Sequence, residues 1–105
     1  MRSLTELERL VEREAKRQGP EAERELWRLR IGYRLAVLIS QARRDARLSL
    51  AKLASLSGIQ QSEIRKIETA QANPTIETLT AVLRPLGKTL SIADDDALSS
   101  KPRKR

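Results

Sequence analysis

The stretch Leu48-Ser49-Leu50-Ala51-Lys52-Leu53-Ala54-Ser55-Leu56-Ser57-Gly58-Ile59-Gln60-Gln61-Ser62-Glu63-Ile64-Arg65-Lys66-Ile67-Glu68 decides how this chain folds. Ser49 suits a helix N-cap, because its hydroxyl can accept from the unpaired N–H groups that open a helix. Leu50, Leu53 and Ala54 then recur at helical spacing as far as about Leu56. Gly58 allows the sharp turn that ends this helix. A second helix opens at Gln60 or Gln61 and runs to about Thr69, buried through Ile64 and Ile67. Ala54 is small enough for the helices to cross closely, and Ile59 plugs the corner between them. With Ile64 and Ile67 inward, Gln61, Ser62, Arg65, Lys66 and Thr69 must face out. That face suits nucleic acid: Gln pairs with adenine edges, Arg with guanine, and Lys or Ser with phosphate. In isolation the same residues read as a solvated helix surface.

Outward from this stretch the pattern stays helical. Asn73-Pro74-Thr75 reads as a turn with Thr75 as N-cap, and Ile76, Leu79, Val82, Leu83 and Leu86 mark a further helix stopping near Gly87. Upstream, Pro20 suits a first helical position, and a helix is expected from Glu21 to about Ala46. Leu26, Leu29, Tyr33, Ala36 and Val37 share one face of it, and Trp27, Ile31, Leu35, Leu38 and Ala42 an adjacent one. Gly32 either breaks this helix or weakens it. Before it, Leu4, Leu7, Leu10, Val11 and Ala15 form an apolar stripe on a helix that ends at Gly19-Pro20. After the last helix, Thr89-Leu90-Ser91-Ile92-Ala93 alternates as a short strand would. Asp94-Asp95-Asp96 is a polar stop, read as a solvated chain end rather than a cation site, and Lys101-Pro102-Arg103-Lys104-Arg105 a basic tail. The expected units are an amphipathic helical arm at 1–20, a domain at 21–93 and a charged tail at 94–105.

Composition removes most catalytic classes. The 105 residues include no Cys and no His, so nucleophilic thiols, thiolate zinc sites and the commonest general base are all absent. No convergent carboxylate pair replaces them, and the chain is expected to be a binding protein, not an enzyme, with no cofactor and no metal. No apolar run approaches the roughly 20 residues that span a bilayer, and the N-terminus lacks a signal peptide's pattern. A cytoplasmic protein associated with the nucleoid is expected. The net charge of +7 favours a polyanionic partner. Residues 1–30 hold eight basic and seven acidic groups, net +1, whereas 31–73 hold seven basic and three acidic, net +4. The excess therefore gathers around the quoted stretch.

Leu48–Gly87 resembles the helix-turn-helix of the phage-repressor/xenobiotic-response-element class. Leu53-Ala54, Gly58, Ile64, Ile67-Glu68, Pro74-Thr75 and Thr78-Leu79 carry the resemblance in order and spacing. It implies an all-α, five-helix repressor-like fold, here with an extra N-terminal helix and a short C-terminal strand. It further implies a dimer on double-stranded operator DNA, contacted by Gln60, Gln61, Ser62, Arg65, Lys66 and Thr69. Lys52 and Arg44 read as phosphate contacts or as loose surface charge. Arg43 falls where the family pairs an arginine with a glutamate at the end of the recognition helix, here Glu68. Two positions depart from the family: Leu50 stands where a DNA-contacting Gln is usual, and Ala70 where Gly is usual. The Ala70 departure implies a rebuilt turn or a helix that runs on.

The ending Leu86-Gly87-Lys88-Thr89-Leu90-Ser91-Ile92 looks like that of HigA-type antitoxins of type II toxin-antitoxin systems. That narrower resemblance implies neutralisation of a small ribonuclease toxin together with autoregulation. Leu4, Leu7, Leu10 and Val11 would then meet the toxin, or alternatively a second copy of the chain. The other reading is a stand-alone transcriptional regulator with no toxin partner.

Overall fold

A computed structural model describes residues 3–94. Two long helices come first. Helix α1, Leu4–Gln18, opens on a capping box: Ser3 Oγ accepts from Glu6 N, and Glu6 Oε1 accepts from Ser3 N. Gly19, at φ 119°, turns the chain, and Pro20 opens helix α2, Pro20–Asp45, where its missing N–H costs no hydrogen bond. Helix α2 passes through Gly32 without a break. Helix α1 packs back along the first half of α2, clasped by Arg30 Nη1 on Glu12 Oε2 at 2.6 Å and by Arg30 Nη2 on the Glu8 carbonyl. On the outer side of α1, the Arg17 guanidinium and the Gln18 amide hold the exposed Glu14 carboxyl down at about 2, from an ordinary 4.5.

Three short helices follow: α3, Leu50–Ser57; α4, Gln61–Glu68; and α5, Ile76–Leu83. Ser49 caps α3 by accepting from Lys52 N, and Thr75 caps α5 by accepting from Thr78 N. Pro85 cannot donate the next helical bond, so α5 tightens into a 3-10 turn over Arg84–Leu86. Gly87 then takes a left-handed φ of 70° and ends it. Of the residues that mark this helix, Ile76 at its start is exposed.

The second half of α2 joins α3, α4 and α5 around one core: Ile39, Leu53, Ile64, Ile67, Leu79, Val82 and Leu83. Full burial of such side chains stabilises by roughly 1.5–3 kcal/mol each, and Ile39, Leu53, Ile64 and Val82 are all essentially inaccessible. Of α1, by contrast, only Ala15 is buried among the described side chains. The stability therefore resides mainly in the four-helix unit, and α1 leans on it through α2. Leu7 and Val11 stay about half exposed, Leu10 is half-buried, and the Leu4 side chain lies outside the described residues.

The strand expected at Thr89–Ala93 does not form. A strand needs a neighbour to pair its N–H and C=O groups, and the other described elements are helices. Residues 88–91 instead run beside α2 and Leu83 in irregular backbone. Asp95, Asp96 and the Lys101–Arg105 tail lie outside the described residues.

Candidate nucleic-acid interface

The turn between α3 and α4 is built from three local devices. Gly58 takes φ 76° and donates its N–H to Ala54 O at 2.9 Å. Ser57 Oγ accepts from Ile59 N at 3.1 Å. Ile59 then packs against the core from the corner, half-buried. Gln60 precedes α4 in extended backbone, and its exposed side chain makes no capping bond.

Because Ile64 and Ile67 are buried, α4 turns Gln61, Ser62, Arg65, Lys66 and Thr69 outward, and all five are exposed. Three of them are one turn apart, at 61, 65 and 69, with 62 and 66 alongside. The Thr69 hydroxyl already donates to the Arg65 carbonyl at 2.9 Å, which closes the end of α4. Lys52 is exposed in the first turn of α3. Arg44 is set apart: it lies in the last turn of α2, about 100° around that helix from Arg43, and its Nη2 reaches Gln41 Oε1 at 3.4 Å. Leu50 is half-buried against the core and brings no hydrogen-bonding group to the surface.

One ion pair sets the angle of this face. Arg43 Nε donates to Glu68 Oε2 at 2.7 Å and Arg43 Nη2 to Glu68 Oε1 at 3.0 Å. Its Nη1 donates to the Leu48 carbonyl at 2.8 Å. The hydrogen-bonded carboxylate raises the Arg43 pKa further, so the guanidinium stays charged at any accessible pH. The side chains are only 15% and 8% exposed, so removing one partner would strand the other's charge in a poorly hydrated place. The pair ties the end of α2, the entry to α3 and the end of α4 into one rigid corner.

Two backbone features complete it. Ala70 adopts φ 60°, so the left-handed turn after α4 forms in spite of its Cβ. The helix does not run on, and Gln71 N donates back to Lys66 O at 2.8 Å. Arg47 also sits at φ 60° between α2 and α3, a position that the sequence does not flag because arginine has no left-handed preference. Among the described residues no group of three or more His, Cys, Asp or Glu side chains is placed to hold a metal ion. No described helix is long and apolar enough to cross a membrane.

Comparison with known proteins matches this region. A helix-turn-helix family model fits residues 39–92, from the core end of α2 to just past the 3-10 turn. An uncharacterised HTH-type transcriptional regulator of Haemophilus influenzae is 49% identical over 51 residues, which are 49% of this chain and 52% of that protein. The chain thus spans about half the length of that curated relative. No solved structure matches. The family match takes in just over half of the 105 residues, and the chain belongs to the helix-turn-helix family.

Proposed function

We propose that this protein is a sequence-specific DNA-binding transcriptional repressor that acts as a homodimer on a palindromic operator in the cytoplasm, at the nucleoid. The observation that carries this reading is the outward face of α4, a run of amide, hydroxyl and cationic groups braced from behind by Arg43–Glu68. In this reading α3 crosses the phosphate backbone with Lys52, and α4 enters the major groove with Gln61, Ser62 and Arg65 toward base edges. Gln60, Lys66 and Thr69 flank that contact, and Arg44 reaches a phosphate from α2. A dimer would set two such helices about 34 Å apart, one turn of DNA. The role is binding, not catalysis.

The test begins by selecting the operator from random duplex DNA with the purified chain. Arg65→Ala is expected to weaken binding to the selected site by roughly 1–3 kcal/mol and to relax preference at one base position. Unchanged affinity and preference would remove Arg65 from the readout.

A second, narrower reading is that the repressor is also the antitoxin of a ribonuclease toxin, whose operon it regulates. The supporting observation is that Leu7 and Val11 remain 46% and 49% exposed on α1, an element with little share in the core. Deleting residues 1–18 is expected to abolish rescue of cells from a co-expressed toxin while leaving operator affinity intact. Rescue that survives the deletion places the toxin contact elsewhere. If no toxin is encoded beside this gene, the protein is a stand-alone regulator.

A further inference from the structure

Arg47 is an exposed cation in a backbone conformation that its own side chain opposes. It stands between α2 and α3 at φ 60°, in the left-handed region. There the Cβ of an L-residue crowds the backbone, and glycine is the usual residue at such a position after a helix. The turn itself needs only backbone groups: Arg47 N donates to Arg44 O at 2.9 Å and Leu48 N to Arg43 O at 3.1 Å. No contact of the side chain offsets the strain. The Arg47 guanidinium has neither a hydrogen-bond nor an ion-pair partner among the described residues, and the side chain takes no part in the core. Strain that the fold does not need is characteristic of functional positions.

The surroundings of Arg47 narrow what that function is. Helix α3 begins three residues later at Leu50, which is half-buried and offers the surface no hydrogen-bonding group. Lys52 is exposed in the first turn of α3. Arg43, one helical turn before Arg47, is fully engaged by Glu68 and by the Leu48 carbonyl. The bond to Leu48 holds the residue next to Arg47 in the same corner as the end of α4. Arg47 therefore brings a free guanidinium to the opening of α3, in a fixed relation to the α4 face.

We propose that Arg47 grips a DNA backbone phosphate at the opening of α3, and that the left-handed turn fixes where its side chain leaves the backbone. The inference rests on the DNA-binding reading above and adds to it a residue that accounts for the strain. A guanidinium presents a planar fork of donors that matches two oxygens of a phosphate. Such a contact carries no base preference, but it sets the register of a protein on the duplex. A phosphate held by Arg47 would fix the angle at which α4 meets the major groove.

The test sets stability against binding. Arg47→Gly removes the strain and the cation together. Its thermal midpoint is expected to rise by a few degrees. Its slope of log affinity against log salt is expected to fall by about 1, on the selected operator and on an unrelated duplex alike. A thermal melt and fluorescence anisotropy at several salt concentrations read the two effects. Ala70→Gly relieves the same kind of strain after α4 and is expected to leave the slope unchanged. Arg47→Lys keeps the charge and is expected to keep the slope. Arg47→Asn, which tolerates the left-handed region, is expected to bind as Arg47→Gly does. Wild-type slopes in both Arg47→Gly and Arg47→Asn overturn the assignment and leave the DNA-binding reading standing. A slope lost equally in Arg47→Lys overturns it too, because the turn and not the cation would then be responsible. So does a binding loss in Arg47→Gly accompanied by a lower midpoint, since the arginine would then serve the fold. A wild type that binds no duplex at any salt concentration overturns both.

Discussion

Ala70 holds a backbone conformation that its Cβ opposes by about 1–2 kcal/mol, at the position where the family usually places glycine. The turn forms regardless, because the Arg43–Glu68 pair fixes the end of α4 and Ile67 is buried beneath it. Ala70→Gly should therefore relieve strain, offset in part by the extra freedom that glycine gives the unfolded chain. A net gain of about 0.5–1 kcal/mol is expected, read as a thermal midpoint about 3–6 °C higher. A midpoint that does not rise would mean that the turn is not strained. Sequence makes Ala70 conspicuous because a family preference exists there. Arg47 has the same φ and no such signature. Its conformation closes the end of α2 through two backbone bonds, Arg47 N to Arg44 O and Leu48 N to Arg43 O, the same pattern that Ala70 and Gln71 make after α4. The motif is local, but its usual sequence sign is a glycine at the left-handed position, and arginine stands there instead.

At the scale of elements, the short helices were readable because their signals are local. Ser49, Gly58 and Thr75 act within three or four residues of where they stand, and each does in the structure what its side chain or backbone suggests. Helix α2 and the last segment were less readable because their fate depends on neighbours. Gly32 costs about 1 kcal/mol in a helix interior, which leaves open whether α2 breaks. The clasp of Arg30 on Glu12 lies on one side of Gly32 and the buried Ile39 on the other, so packing at both ends holds the helix continuous. A Cβ added at Gly32 would meet nothing within 4 Å. Gly32→Ala is therefore expected to stabilise by about 0.5–1 kcal/mol, measured as a higher urea midpoint with unchanged slope. A destabilised variant would show that α2 needs to flex at that point. Alternation at Thr89–Ala93 was a real pattern as well, but a strand is a property of a pair, and the described fold offers it no second strand.

For the whole molecule, the relevant quantity is where charge sits relative to the fold. Helix α1 and the first half of α2 carry nearly balanced charge, much of it paired within a turn, as in Arg17–Glu14 and Arg28–Glu25. Residues 31–73, the segment that contains α3 and α4, carry a net +4 instead, with Lys52, Arg65 and Lys66 exposed on those two helices. An encounter with DNA should thus be steered toward the α3–α4 side, and counterions released there should dominate the salt dependence of binding. This separates residues by role. If Lys52 meets a phosphate, Lys52→Ala should weaken binding to all sequences alike and reduce the slope of log affinity against log salt by about 1. Arg13→Ala, which removes an exposed cation from α1, should leave the slope unchanged. Fluorescence anisotropy of a labelled operator and of an unrelated duplex, each titrated at several salt concentrations, measures both slopes. A Lys52→Ala slope equal to wild type would take the start of α3 off the backbone. An Arg13→Ala slope as shallow as that expected for Lys52→Ala would extend the DNA track along α1, and the N-terminal hairpin would then be part of the nucleic-acid surface.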